Sequence, residues 1–377
     1  MKALFVSNDP TVFDPASPTR LRMKEYAQAI GELYIISPAH TKVEIHEGNL
    51  HLFGIKAMKL FAPGAVARKA RQLVQTMGID VVSAQDPFEY GMAALKAVRG
   101  TAVKLHIQVH TDFLSPWFVH AGGFRSRKVP MPYLNRIRRH MAKRVLMKAN
   151  GIRAVSKRVA DSLVSKYGNR IPVPSVIPIS VPATLPIAVP LPPLPFTFVF
   201  ITVGRLEAEK RIEDIIDALA RIAPLYPSIG LVVVGDGRER HKLEHLAQAL
   251  HIKDRVVFLG WRNDSLGIIR SAHAYIQASA YEGYGRTLIE AALARIPIIT
   301  TDVGIVGEVF NGYEDVLSAP PADPAALSVQ MRGILEDSAA RISMVMNAER
   351  KARAHLAENT NQAVRIAADL AQAYSKV

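Results

Sequence analysis

The sequence predicts an α/β protein made of two Rossmann-like, doubly wound halves, and three observations predict it. Short β-rich runs alternate with helical ones along most of the chain, which favours mostly parallel sheets. A stretch with nine prolines, IPVPSVIPISVPATLPIAVPLPPLP from Ile171 to Pro195, separates two such alternating sets and reads as an extended linker. The 377 residues, 49% of them hydrophobic, are too many for one ordinary core and suit two domains.

In the first set, strands are predicted at Ala3 to Ser7, Tyr34 to Ser37, Asp80 to Ala84, Val103 to Val109 and Ile152 to Val155. Helices are predicted between them at Arg20 to Ile30, Ala65 to Met77, Tyr90 to Arg99 and Tyr133 to Ala149. Met1 to Ser7 reads as a first buried strand rather than a leader. Ser175 to Ile179 reads equally as a last strand of this half or as part of the linker.

The second set has strands at Thr197 to Val203, Leu231 to Gly235, Val256 to Leu259, Ala274 to Ala278 and Ile298 to Thr301. They frame helices at Lys210 to Ile222, Glu239 to Leu250, Ser265 to Ser271 and Thr287 to Ala294. Pro324 to Val377 is helical by composition. The expected domains are therefore 1–180, a linker 181–195, and 196–355, with a C-terminal helix 356–377 that returns to the first domain.

No run approaches the roughly 18 to 20 apolar residues of a spanning helix. The absence of cysteine excludes disulfides and thiolate chemistry. The net charge of +14 is concentrated: residues 101–170 hold 15 Lys and Arg against Asp112 and Asp161 alone. Such a patch suits an anionic partner: a phospholipid surface, a phosphorylated substrate or a nucleic acid. On a helix over Leu134 to Ala149, Leu134, Ile137, Met141 and Val145 form an apolar stripe opposite Arg136, Arg139, His140 and Lys143. Trp117, Phe118 and Phe124 precede it, with Arg125, Arg127 and Lys128. The favoured reading is peripheral contact with an anionic membrane through Arg136, Arg139 and Lys143; the plain one is a solvated helix packed on its own domain.

Three motifs follow strand ends in the second half. In Gly204-Arg205-Leu206-Glu207-Ala208-Glu209-Lys210, Arg205 and Lys210 can converge on a diphosphate with the N–H groups of the next helix, or simply flank a helix start. Val234-Gly235-Asp236-Gly237-Arg238 is a tight glycine turn lacking the third glycine of a dinucleotide fingerprint. In Tyr281-Glu282-Gly283-Tyr284-Gly285 and the helix after it, Glu282 and Glu290 can face one ligand from different elements. A buried Glu290 needs hydrogen-bond donors, which a ribose diol supplies; two ordinary surface acids fit as well. His241-Lys242-Leu243-Glu244-His245 matches an inverted zinc-protease motif but needs a third ligand, and no metal is expected.

Taken together, GRLEAEK, VVVGDGR and SAYEGYGRTLIEAALARIPIITTDVG, in this order and on these elements, resemble glycosyltransferase family 4, retaining enzymes of the GT-B fold. The opening MKALFVS and the alternating pattern agree, so the resemblance spans essentially the whole chain. It implies that Arg205 and Lys210 clamp a diphosphate, that Glu290 holds the nucleotide ribose and that Glu282 lies beside the donor sugar. Backbone N–H groups around Tyr284, Gly285 and Arg286 would help with the phosphates, and Gly237 joins the donor-binding set. His110, in Val109-His110-Thr111-Asp112 after a strand, takes the place of the family's active-site histidine. The first domain would bind the acceptor.

The chain departs from the family pattern in three places. Asn8-Asp9-Pro10 to Arg20 replaces a Gly-Gly after the first strand, Ile179-Ser180 replaces an Asn-Gly at the junction, and Arg295 replaces a glycine before Pro297.

The resemblance implies transfer of a hexose from a nucleotide-diphosphate sugar, with retention, to a lipid-linked or polysaccharide acceptor of cell-envelope type. No Asp-x-Asp occurs, which suits a metal-independent site; no cofactor beyond the donor substrate and no nucleic acid are expected. The expected location is the cytoplasm, with peripheral contact at the inner face of the cell membrane. The rival functions are a sugar-nucleotide epimerase of the same shape, and a non-catalytic nucleotide-sugar or nucleic-acid binding protein using the basic patch.

Overall fold

A computed structural model describes residues 1–120, 131–183 and 186–375. Phe124, Arg125, Arg127 and Lys128 of the basic segment lie outside the described residues, as do Thr184 and Leu185 of the linker. The chain forms two compact units, one of Met1–Leu114, Tyr133–Pro178 and Asn361–Val377, the other of Ser115–Pro132 and Ile179–Thr360.

The first unit is built on an eight-stranded sheet of β1 (Lys2–Val6), β2 (Glu32–Ala39), β3 (Val43–Glu47), β4 (Leu50–Lys56), β5 (Val81–Ala84), β6 (Lys104–Val109), β7 (Gly151–Ala154) and β8 (Ser175–Val176). The strand order is β3-β4-β2-β1-β5-β6-β7-β8, parallel throughout except for β3 against β4. Ala3, Leu4, Phe5 and Val6 are buried, as befits a strand covered on both faces. The helices are α1 (Pro18–Ile30), α2 (Ala62–Thr76), α3 (Glu89–Val98), α5 (Met131–Leu146) and α6 (Lys157–Tyr167); the short α4 (Pro116–His120) falls in the other unit. Ser17 caps α1 by accepting from the Arg20 N–H at 3.0 Å, with Pro18 in the first helical position.

Three differences from the sequence reading are local. The β3–β4 hairpin was not anticipated, although Val43-Glu44-Ile45-His46-Glu47 alternates and Leu50, Leu52, Phe53 and Gly54 are buried. Ser175 to Ile179 is partly strand: Ser175–Val176 pairs with β7 and the Ile177 N–H donates to the Ala154 carbonyl at 3.0 Å before Pro178 removes the next donor. The C-terminal segment is not one helix from residue 356; a helix runs through Glu358, and Asn361 at φ 54° breaks it before Gln362–Ser375.

In the second unit six parallel strands, β9 (Phe198–Val203), β10 (Ile229–Val234), β11 (Val256–Gly260), β12 (Ala274–Gln277), β13 (Ile298–Thr301) and β14 (Leu317–Ala319), lie in the order β11-β10-β9-β12-β13-β14. Helices α7 (Ile212–Ile222), α8 (Arg240–Ala249), α9 (Ser265–Ile269), α10 (Arg286–Leu293), α11 (Pro324–Glu336) and α12 (Ser338–Glu358) belong to this unit. Phe200, Ile215, Leu219, Leu231, Val233, Ile276 and Met331 form its core between sheet and helices. The strand order reverses between β9 and β12, so the loops after these two strands open onto the crevice where doubly wound sheets take ligands.

The last helix, α13 (Gln362–Ser375), packs in the first unit, where Ile366 and Leu370 join the core with Tyr26, Ala27 and Ile30. Its Asp369 accepts from, or shares a proton with, His106 Nε2 at 2.9 Å, and Ser83 Oγ meets His106 Nδ1 at 2.9 Å.

Candidate active site

The site in the second unit starts at the end of β9. Ala208–Lys210 form a short 3₁₀ turn and Arg211 takes a left-handed conformation at φ 47°, its guanidinium bonded to Asp214 at 2.6 and 2.7 Å. Lys210 therefore stands in the turn before α7, not in the first turn of that helix. This aims its ammonium at the loop after β12, where Nζ lies 2.5 Å from Glu282 Oε1. Ser279 Oγ donates to the same oxygen at 2.7 Å, and the Ala280 N–H donates to the Glu209 carbonyl at 2.8 Å, binding the two loops together. Arg205 meets Glu209 at 3.0 Å on the surface. An exposed pair of this kind is worth only about 0–1 kcal/mol, so the guanidinium is available to a stronger anion.

Gly237 has a packing reason for being glycine. A Cβ there would lie 2.4 Å from the Leu206 carbonyl oxygen, and its N–H donates to Asp236 Oδ1 at 2.7 Å. It lets the loop after β10 close on the backbone that carries Arg205.

On the far side of the crevice, Gly285 at φ 89° is the N-cap of α10 and offers no side-chain acceptor. Among the described residues nothing accepts from the Tyr284, Gly285 or Arg286 N–H groups, which leaves them to a ligand. The Tyr284 side chain itself points away: its ring is buried and its hydroxyl meets His355 Nε2 on α12 at 2.9 Å. Glu290, one turn into α10 and 6% exposed, accepts from Arg286 Nε at 2.6 Å. Burial pushes its carboxyl above the ordinary range, against the pull of Arg286.

Two residues here were not singled out from the sequence, Ser279 and Gln277. Thr287 Oγ1 donates to Gln277 Oε1 at 2.9 Å, while Gln277 Nε2 is buried without a partner. It lines a small crevice with Thr202, Gly204, Lys210 and Ser279. The alternation of β12 marked Gln277 and Ser279 as one face of the strand, and a polar pair on a buried face was the available signal.

His110 belongs to the first unit, directly after β6. Its Nε2 is buried and has no partner, and burial, then the nearby cations Arg153 and Arg22, push the imidazole down to about 3. It lines a cavity of about 280 Å³ with Ser7, Asn8, Asp9, Arg22 and Gln85. The structure thus joins Lys210 with Glu282 and Arg286 with Glu290, while His110 has surroundings of its own.

The basic helix is turned from the orientation read in the sequence. Among the described side chains of α5, Asn135, Ala142, Val145 and Leu146 are buried, and Ile137 is 37% exposed. The Arg139 guanidinium donates to the Phe113 and Leu114 carbonyls at 2.8 and 3.3 Å, facing its own domain rather than an outside anion. Tyr133, Arg136, Ile137, His140, Lys143, Arg144 and Met147 are exposed. Phe118 is buried edge-on against Tyr281 at 5.5 Å and does not belong to an exposed aromatic set. His241 is an exposed side chain 3.5 Å from Glu244, and among the described residues no three His, Asp or Glu converge as a metal site.

Residues 196–353 match the family model of glycosyl transferases group 1, and residues 9–182 that of Glycosyltransferase Family 4. A glycogen synthase of Mycobacterium tuberculosis is 36% identical over 155 residues, covering 40% of this chain and 36% of that protein. A lipopolysaccharide core biosynthesis glycosyltransferase of Rhizobium meliloti is 30% identical over 144 residues, 38% of this chain and 41% of that protein. The matches therefore span well under half the length of either relative. Sucrose-phosphate synthase from Thermosynechococcus elongatus superposes with a TM-score of 0.78 at 19% identity, covering 97% of this chain and 98% of that one. HepE from Anabaena in complex with UDP-glucose superposes at 0.72 with 19% identity, covering 98% and 100%. At such identities these likenesses speak for the fold, two Rossmann-like domains of GT-B type. With residues 9–182 and 196–353 matched in turn by the two glycosyltransferase family models, the chain belongs to glycosyltransferase family 4.

Proposed function

We propose that the protein is a retaining hexosyltransferase that moves a sugar from a nucleotide-diphosphate sugar to a saccharide or lipid-linked acceptor without a metal ion. The observation that carries this reading is the set of groups at the switch point of the second sheet. Lys210 on Glu282, the open N–H groups of Tyr284, Gly285 and Arg286, and the buried Glu290 lie on neighbouring loops. A diphosphate suits Lys210, Arg205 and the α10 N-terminus, which together do the work of a cation on the leaving group. A ribose diol donates to the Glu290 carboxylate, which now has Arg286 as its donor. The UDP-glucose held by HepE supports a donor of this class.

In the reaction, the bond from the anomeric carbon to the diphosphate breaks and a bond to the acceptor oxygen forms on the same face. The acceptor's proton passes to the departing phosphate oxygen. No protein nucleophile is required. Glu282 positions the sugar, and the resemblance alone assigns His110 to the sugar side.

The test is calorimetric titration with UDP and a panel of nucleotide sugars. Glu290→Ala is expected to weaken nucleotide binding at least tenfold, about 1.4 kcal/mol; unchanged affinity rejects the ribose assignment.

Peripheral attachment at the inner membrane face is favoured by one further observation, the exposed cations Arg136, Lys143 and Arg144 interleaved with exposed Tyr133 and Ile137 on α5 and Met147 just after it. Liposome sedimentation of the Arg136→Glu, Lys143→Glu double variant tests it, with loss of binding to anionic vesicles expected and equal binding rejecting it.

A further inference from the structure

The first sheet has a switch point too. β1 is flanked by β2 on one side and β5 on the other, so the strand order reverses there, and the crevice beyond these carboxyl ends is a natural ligand site. The cavity of about 280 Å³ lies at this place, between Ser7, Asn8 and Asp9 after β1, Gln85 after β5, Arg22 from α1 and His110 after β6.

Its polar groups are unevenly satisfied. Arg22 is half-buried and forms no ion pair or hydrogen bond with any described residue. Its neighbour on the helix, Arg20, shows the usual arrangement: it is buried and paired with Glu47 at 2.9 Å. Withdrawing a guanidinium from water without an anion costs free energy that a bound anion recovers. His110 Nε2 is buried and partnerless as well. Asp9 is the one carboxylate on the cavity wall. It already accepts from the Thr11 N–H at 2.9 Å and from the Thr11 and Thr19 hydroxyls at 2.6 and 3.3 Å, and it makes no ion pair with Arg22. Cavity, unpaired cation and orphaned ring nitrogen coincide at one switch point.

We propose that this cavity takes the acceptor by a phosphate group, which Arg22 neutralises and to which His110 Nε2–H and the Asn8 amide donate. The inference rests on the transferase reading and narrows it: the acceptor is a phosphorylated polyol or sugar, or the headgroup of a phospholipid, rather than a neutral saccharide. A guanidinium matches two phosphate oxygens at once, and the volume admits a phosphate with a small polyol attached.

The full-length protein is titrated with glycerol 3-phosphate and with glycerol at constant ionic strength, for the parent, Arg22→Gln and Arg22→Lys. The parent is expected to bind glycerol 3-phosphate at least about tenfold tighter than glycerol. Arg22→Gln should lose that preference and Arg22→Lys keep part of it. UDP titration of each protein reports whether the variants are folded. No preference in the parent, or the same preference in folded Arg22→Gln, overturns the proposal. Phosphatidic acid vesicles that displace glycerol 3-phosphate from the parent identify the lipid source; displacement by sorbitol 6-phosphate alone identifies a soluble one. Loss of UDP binding by the parent with the phosphate preference intact marks failure of the transferase reading instead.

Discussion

Lys210 Nζ lies 2.5 Å from Glu282 Oε1, although 72 residues separate them. The two loops meet because β9 and β12 are hydrogen-bonded neighbours. Both side chains are largely withdrawn from solvent, 23% and 14% exposed, so the charges attract in a medium of lower dielectric than water. Glu282 also holds Ser279, which fixes the ammonium at the mouth of the crevice before any ligand arrives.

Lys210→Ala removes the cation and leaves Glu282 with Ser279 as its donor. Steady-state kinetics with the preferred nucleotide sugar are expected to show kcat/KM lowered by about 10²–10³, the usual cost of losing one preorganised charge stabiliser. Lys210→Arg should recover part of that. A loss below tenfold for Lys210→Ala would place the leaving diphosphate elsewhere.

The His110 imidazole, held down at about 3 by burial and then by Arg153 and Arg22, makes folding sensitive to acid. Below its unfolded value near 6.5 the unfolded chain binds a proton that the folded chain refuses, so this contribution to stability falls as pH drops from about 6.5 toward 3. Urea unfolding at pH 7 and pH 5 should show a smaller acid loss for His110→Gln than for the parent, by about 1–2 kcal/mol. Parallel losses in the two proteins contradict the depressed value.

Gly237→Ala puts a Cβ at 2.4 Å from the Leu206 carbonyl oxygen, a backbone atom that cannot swing aside. The expected destabilisation is about 2 kcal/mol or more in chemical denaturation. Gly204→Ala is the control, since its nearest neighbour is the flexible end of Lys210 at 4.0 Å, and its midpoint should stay close to that of the parent.

Asp369 on α13 is buried with His106, which in turn meets Ser83. Asp369→Ala strands a buried imidazole and is expected to cost about 3 kcal/mol. Hydrogen exchange should show the loss concentrated in α13 and β6; uniform loosening of the unit would argue against a local anchor.

Much of the fold is written in short-range pattern. The runs LFV, VVSA and IITT bury every residue, and Ser17-Pro18 announces the start of α1 in chemistry that needs no distant partner. The β3–β4 hairpin was missed although β3 alternates and most of β4 is buried, because its pairing brings together two short runs that the sequence reading passed over. In the candidate site, glycine and carboxylate spacing pointed to the loop of Glu282 and the helix of Glu290. The alternation of β12 placed Ser279 on the face of Gln277, but its bond to Glu282 forms only because the loop folds back.

By itself the sequence determined the alternation of elements, the proline break between the two sets and the residues that the loops after the strands carry, since these depend on neighbours along the chain. Only the tertiary structure decided that Lys210 meets Glu282, that Arg139 turns inward to carbonyl groups and that Arg22 and His110 share a cavity. Each of these depends on strand order and on which charges find partners, and those are set by contacts between residues far apart in the chain.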